Sequence, residues 1–172
     1  MKRAAAVRVV GPLHWIAIPS LVAIAVSVVL ATPFQLFGFK LPEPVAPLVL
    51  AFVWPLIRPS MLGPIVLFGL GLFLDLLWGG ILGLWPLSLL TVYVLVLLSR
   101  SLLAGQENLI LMIWFASCTG LAFLITYLVV ALDASNAPTV FGLFGQMIPT
   151  LLLWPAANWM LQRFDDGDVR FR

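Results

Sequence analysis

The sequence predicts an all-α fold, a polytopic transmembrane helical bundle of about six spans. Hydrophobic residues make up 63% of the 172 residues, charged residues make up 9%, and the mean hydropathy is +1.14. A soluble domain is about 45–50% apolar and about 25% charged, so a fold of this size with so few charges is predicted to lie in lipid. The apolar residues also form six runs separated by turn residues and charges. The chain is therefore predicted to be one transmembrane domain over residues 1–172.

The six apolar runs are the predicted spans. They cover residues 13–31, 45–57, 62–78, 81–98, 109–132 and 139–161. A span needs about 20 apolar residues, and the second run falls short, because about 13 residues of helix reach only about 20 Å. Pro55 also interrupts that run. The run 45–57 is therefore predicted either to cross the membrane or to re-enter it, and a four-span arrangement remains an alternative if two weak runs fail.

The distribution of basic residues predicts the orientation. The chain has nine Lys and Arg residues. With six spans and a cytoplasmic N-terminus, all of them except Lys40 fall on the cytoplasmic side. Cytoplasmic loops of membrane proteins carry an excess of Lys and Arg. We therefore expect a multi-pass protein with both termini in the cytoplasm.

Several function classes lack the residues they need. The basic residues are scattered between apolar runs and form no patch for nucleic acid. Cys118 is the single cysteine and His14 the single histidine, so neither a disulfide nor a zinc-binding cluster is expected. No Ser-His-Asp set, phosphate loop or HExxH motif is present. The prediction is a protein that is not an enzyme and that has no cofactor, no metal site and no catalytic residue.

Asp75 is the ionisable residue inside a predicted span. A charged side chain at the centre of a bilayer costs about 3 kcal/mol, so such a residue is a candidate functional site. Gly71, Asp75 and Gly79 are spaced four residues apart and share one helix face, where glycines let another helix approach closely. Two roles stay open, a structural hydrogen bond within the hairpin and direct contact with a partner or ligand. Ser88, across the turn at Gly79, is the expected intramolecular partner.

Asp133, at the outer end of the fifth run, raises one enzymatic alternative. Together with Asp75 it would supply the two carboxylates of an intramembrane aspartyl protease at one membrane face. The Asn and Asp motifs that flank both acids in such enzymes are absent. A solvated cap at the end of the helix is the preferred interpretation of Asp133.

The stretch from Trp54 to Leu98 resembles the rod shape-determining protein family MreD. The residues that carry the resemblance are Trp54-Pro-Leu-Ile-Arg58-Pro59, the Gly71-x-x-x-Asp75-x-x-x-Gly79-x-x-x-Gly83-Leu84 run, and Thr91-Val-Tyr93. This stretch covers about a quarter of the chain, and the remaining spans match in layout.

The resemblance implies a scaffold of the bacterial cell-elongation machinery in the inner membrane. Its expected partners are an MreC-like single-span protein and, indirectly, the peptidoglycan synthase and transpeptidase pair and the MreB cytoskeleton. The residues predicted to bind the partner are Arg58, Gly71, Asp75, Gly79 and Gly83. The family is also similar in fold to the membrane substrate-binding subunits of energy-coupling-factor transporters. A vitamin-type transporter subunit is therefore the alternative function.

Overall fold

The computed structural model describes residues 8–10, 13–31, 35–36, 39–40, 42–133, 140–165 and 169–171, and the side chains of 15–31, 42–132 and 145–163. The prediction of an all-α fold is confirmed at this level, because the strands in the described part are no longer than three residues. They are β1 (Arg8–Val10), β2 (Gln35–Leu36), β3 (Phe39–Lys40) and β4 (Val169–Phe171).

The helices follow the predicted apolar runs closely. A π-helical turn over Leu13–Ala17 leads into the first helix. The helices are α1 (Ile18–Ala31), α2 (Ala46–Ile57), α3 (Leu62–Trp78), α4 (Leu84–Leu98), α5 (Arg100–Leu103), α6 (Asn108–Asp133), α7 (Val140–Leu151) and α8 (Trp154–Asp165). By length and composition α6 could cross a membrane over Asn108–Leu132, whereas Trp15–Ala31, α2, α3 and α4 are apolar but shorter.

The last predicted span, residues 139–161, is two helices. The chain turns at Leu152 and Leu153, between α7 and α8. Pro149 lies near the end of α7 and Pro155 near the start of α8. Proline has no N–H to donate and its ring excludes the preceding carbonyl, so two prolines six residues apart break a continuous helix. Pro149 and Pro155 therefore account for the break between α7 and α8.

The short helix α2 forms the centre of the bundle. Every residue from Ala46 to Pro55 is buried, and α2 packs against α4, α8, α1 and α3. The expectation that Pro55 interrupts this segment is wrong, because the helix continues to Ile57. A helix that is apolar on all sides is one that other helices surround. The segment that looked weakest by length is therefore the core of the fold.

An aromatic cluster packs the C-terminal half of α2 against its neighbours. The rings of Phe52 and Phe115 meet edge to face with centroids 5.4 Å apart, and Trp154 lies 6.4 Å from Phe52 and 5.7 Å from Phe115. Such pairs contribute about 0.5–1.5 kcal/mol beyond the area they bury. The three rings join α2 to the start of α6 and to the start of α8.

Two contacts show that α7 and α8 run parallel to α2. The backbone N–H of Val45, just before α2, donates to Oγ1 of Thr150, 3.1 Å away, and Phe52 packs on Trp154 further along both helices. The C-terminal ends of α2 and α8 therefore lie at the same end of the bundle. The parallel pairing of β1 with β4 brings the N- and C-terminal strands together, with Arg8 opposite Val169.

The two ends of the bundle differ in charge. Arg58 follows α2, Arg100 follows α4 and Arg163 lies in the last turn of α8. We call this the basic end; it also carries the paired β1 and β4 strands. At the opposite end α3 and α4 join through Gly79 and Gly83, and we call this the hairpin end.

Candidate functional site

The candidate site is the antiparallel pair of α3 and α4. Three contacts define its register: Gly63 with Tyr93, Gly71 with Pro86, and Asp75 with Gly83 and Trp85. These contacts lie on one buried face of α3, and Leu67 is buried on the same face. The predicted four-residue spacing of Gly71 and Asp75 thus does put both residues on one side of the helix, and that side faces α4.

The turn at the hairpin end needs glycine for its backbone conformation. Gly79 ends α3 with φ of 64°, and Gly83 precedes α4 with φ of 95°. Side chains with a β-carbon rarely adopt this left-handed region. A β-carbon at either position would meet no atom within 4 Å, so the backbone angle and not space is what requires glycine there. The N–H of Gly80 donates to the backbone oxygen of Asp75 at 3.0 Å and closes the end of α3.

The carboxylate of Asp75 holds the start of α4. Its Oδ2 accepts a hydrogen bond from the N–H of Gly83 at 2.7 Å, and its Oδ1 accepts one from the N–H of Trp85 at 3.1 Å. The first N–H groups of a helix have no partner within that helix, and the positive end of the helix dipole favours a negative charge. Asp75 is 1% exposed, so both bonds are shielded from water. It therefore acts as an N-terminal cap supplied by the neighbouring helix.

Ser88 is not the partner of Asp75, and that expectation was wrong. Its hydroxyl donates to the backbone oxygen of Leu84 at 3.1 Å and lies 3.3 Å from Oγ1 of Thr126 in α6. The backbone N–H groups of α4 lie closer to the carboxylate along the chain and offer two donors where Ser88 offers one. Ser88 instead links α4 to α6 inside the core, where it is fully buried.

Gly71 is the point of closest approach between α3 and α4. A β-carbon at this position would lie 2.6 Å from the Cα of Pro86 and 2.7 Å from its Cδ. The contact is with backbone and with a rigid ring, so neither neighbour can turn away. The face of α3 that carries Gly71 is thus occupied by α4 of the same chain.

A further hydrogen bond fastens the basic end of the pair. The hydroxyl of Tyr93 donates to the backbone oxygen of Ser60 at 3.2 Å, in the link between α2 and α3. Gly63 makes room for the phenol ring, since a β-carbon there would lie 3.2 Å from Cε2 of Tyr93. Sequence reasoning missed Gly63. It lies eight residues before Gly71, and this continuation of the four-residue spacing was the available indication.

Arg58 lies near Ser60, at the opposite end of the pair from Asp75. It ends α2, where its N–H donates to the backbone oxygen of Trp54 at 3.0 Å. The structure thus brings together Gly71, Asp75 and Gly83 and leaves Arg58 at the basic end. The assignment of these residues and Gly79 to a partner stays a prediction.

Three aromatic rings surround the start of α4. Trp78 and Trp85 pack edge to face at 5.2 Å, and Trp85 packs on Phe123 of α6 at 6.0 Å. Trp78 Nε1 is buried without a hydrogen-bond partner. The Asp75 carboxylate is buried in the same region, and its two oxygens already accept backbone hydrogen bonds.

The described surroundings of Asp75 do not support a metal-binding or catalytic role. No three His, Cys, Asp or Glu side chains lie close enough to hold a metal ion among the residues described. Asp133 ends α6, and its side chain lies outside the described part, so the predicted carboxylate pair has no geometry to report. What the arrangement does chemically is to accept two N–H donors and fix one helix to another.

Replacing Asp75 with Asn should destabilise the protein by about 2–3 kcal/mol, because a charge-assisted bond is lost and an amide NH₂ faces a backbone N–H. Thermal unfolding of the purified protein measures the effect. Glu107→Gln is the matched control, since Glu107 is exposed and its change should cost less than about 0.5 kcal/mol. Equal stability of Asp75→Asn and the unmodified protein would contradict the capping role.

Replacing Gly71 with alanine should lower the stability of the protein, whereas replacing Gly69 with alanine should raise it. Gly71→Ala forces the new methyl group into Pro86 and should cost about 2 kcal/mol or more. Gly69 is exposed with no atom within 4 Å of a β-carbon, so Gly69→Ala should stabilise α3 by up to about 1 kcal/mol. Unfolding curves of the two variants under one condition make the comparison. A neutral Gly71→Ala would show that α4 does not pack as closely as described.

Comparison of the chain with models of protein families, with curated proteins and with solved structures finds no match in any of the three.

Proposed function

We propose that this chain is a six-span inner-membrane scaffold of the bacterial cell-elongation machinery, which helps to determine rod shape by binding the helices of partner membrane proteins. The six spans are α1, α2, α3, α4, α6 and the α7–α8 pair. The observation that carries the proposal is the α3–α4 hairpin. The residues by which the sequence resembles the MreD family lie in or next to this pair, and Gly71, Asp75 and Tyr93 form its contacts.

The outer surface of the helices supports a membrane location. Large apolar side chains point outward on every long helix, and a soluble protein does not expose so many in contiguous stripes. They include Leu21, Val22 and Val29 of α1, Ile65, Phe68 and Leu76 of α3, Val94 and Leu98 of α4, and Ile113, Leu124, Leu128 and Leu132 of α6. The polar hydroxyls along the helices mostly bond to backbone oxygens of their own helix, as those of Thr119 and Thr126 do. This arrangement suits a hydrocarbon environment.

The short helices are compatible with crossing. α2 has only 12 residues, yet it is enclosed by other helices and exposes almost no backbone to lipid. Non-standard lengths are tolerated at membrane depth where protein provides the surroundings. The arginines at the basic end favour a cytoplasmic location for that end, with both terminal strands on the same side.

The partner surface follows from which faces are free. Gly71 and Asp75 are buried against α4, so in this proposal they act by holding the hairpin rigid. The opposite face of α3 carries Ile65, Gly69 and Leu76, all exposed, and Phe68 is exposed beside it. A glycine among large apolar residues lets a second helix come close in lipid, where small residues mark helix contacts. We infer that a single-span partner of the MreC type packs on this face of α3.

The transporter alternative has less support. A vitamin-binding subunit needs several polar and aromatic groups free to contact its ligand near the outer face. Here both oxygens of Asp75 accept backbone N–H groups, and Ser88 bonds within the bundle. Trp78 Nε1 is the nearby donor that lacks an acceptor.

Membrane topology is tested by cysteine labelling. Gly80→Cys at the hairpin end and Gln106→Cys near the basic end are both exposed positions, whereas the native Cys118 is buried. An impermeant maleimide added to spheroplasts should label Gly80→Cys at once and Gln106→Cys only after the membrane is opened. Labelling of both positions without permeabilisation would contradict the six-span orientation.

Partner binding is tested by co-purification from gently solubilised membranes. The unmodified chain should retain a single-span elongation protein, and Gly69→Leu should reduce the retained amount about tenfold by blocking close approach. Leu128→Ala, an exposed position on α6, is the control and should retain the partner. Full retention by Gly69→Leu would contradict this face of α3, and retention of no elongation protein by the unmodified chain would contradict the scaffold.

A further inference from the structure

The exposed side of α8 differs from that of the other helices. Trp154, Ala157 and Met160 are buried, whereas Trp159, Gln162 and Arg163 are exposed. α8 is thus an amphipathic helix that follows a break in the chain at Leu152 and Leu153. Its apolar side packs on α2 and α6, as the contacts of Trp154 with Phe52 and Phe115 show.

Trp159 and Arg163 form a pair on this exposed side. The indole of Trp159 is 58% exposed, and the guanidinium carbon of Arg163 lies 4.9 Å from the centre of its ring. The face of the indole ring attracts the guanidinium electrostatically. The Arg163 side chain is exposed, and the N–H groups of a guanidinium form a fork that matches two oxygens of a phosphate.

The position of the pair indicates what it would meet. Arg163 lies at the basic end, with Arg58 and Arg100 at the ends of α2 and α4 and with Arg8 and Arg170 in the paired terminal strands. Acidic residues offset part of this charge: Glu107 is exposed, and Asp165, Asp166 and Asp168 follow Arg163 in the sequence. Exposed indoles favour the headgroup layer of a membrane, and a cluster of arginines attracts the anionic lipids of the cytoplasmic leaflet.

We propose that the Trp159–Arg163 pair of α8 is a binding site for the phosphate of an anionic phospholipid. The inference rests on the proposed membrane location. Trp159 would lie among the headgroups and hold Arg163 in an orientation that presents its N–H edge to one phosphate. The occupant fits by charge, because the site offers a cation and polar donors at the end of the bundle where positive charge is concentrated.

The test titrates the purified full-length chain in detergent with phosphatidylglycerol and, separately, with phosphatidylcholine, and counts bound lipid by native mass spectrometry. Phosphatidylglycerol should bind more tightly. Arg163→Gln should weaken its binding about fivefold and leave phosphatidylcholine unchanged. Trp159→Leu, which keeps an apolar side chain but removes the ring, should weaken it in the same direction.

Arg100→Gln is the matched control, because it removes the same charge at the same end, and it should change the affinity less than twofold. An equal loss in both arginine variants would overturn the site on α8 in favour of a general effect of charge. Flotation of the chain with vesicles separates this inference from the proposed function. Flotation without preference for phosphatidylglycerol overturns the lipid site alone, whereas failure to float with any vesicle overturns the membrane proposal.

Discussion

The hydrogen bonds from the N–H groups of Gly83 and Trp85 to the carboxylate of Asp75 are the interaction on which the arrangement of α3 and α4 depends. A buried carboxylate is costly unless strong donors satisfy it, and the start of a helix supplies such donors in a fixed geometry. The same bonds satisfy groups of α4 that would otherwise be unpaired in an apolar interior. The Asp75 side chain thus caps the start of α4, its backbone oxygen accepts the N–H of Gly80 at the end of α3, and the turn between the two helices can be short.

The close packing of the hairpin follows from that connection. With the hairpin end held by Asp75, Gly71 lets Pro86 approach α3 closely, and the Tyr93–Ser60 hydrogen bond fastens the basic end. α4 also contacts α6 through Ser88 and Thr126 and packs on α2. The hairpin is therefore a rigid unit attached to the core on one side. Its other side exposes an apolar face that a partner helix can use without any rearrangement of the bundle.

The helices could be predicted from the sequence because each apolar run is bounded by turn residues or charges. The role of α2 could not, since length measures the distance a helix can cross and not how many neighbours enclose it. The expectation that Pro55 interrupts α2 failed because its missing N–H removes only one hydrogen bond near the end of the helix. The surrounding helices hold the last turn in place. Pro149 and Pro155 indicate that a helix over this run is interrupted, but they do not indicate between which residues the break falls.

The sequence predicted which residues form the candidate site but not which residues they contact. Spacing alone put Gly71 and Asp75 on one face, but it could not say that the approaching helix is α4. Ser88 was a reasonable expected partner by position, yet backbone N–H groups at a helix start compete better for a carboxylate than one hydroxyl does. Gly63 went unnoticed because its neighbour Tyr93 is 30 residues away, and one sequence does not reveal such a pairing.

The central position of α2 also constrains the order in which the bundle can be assembled during synthesis. α2 leaves the ribosome about 100 residues before α8, but it packs on α8 through Phe52 and Trp154. Until α8 has been made, one side of this short helix has no protein neighbour. The core of the described bundle is therefore completed only when α8 has been translated, and a chain that stops at the break after α7 leaves α2 without a protein neighbour on that side.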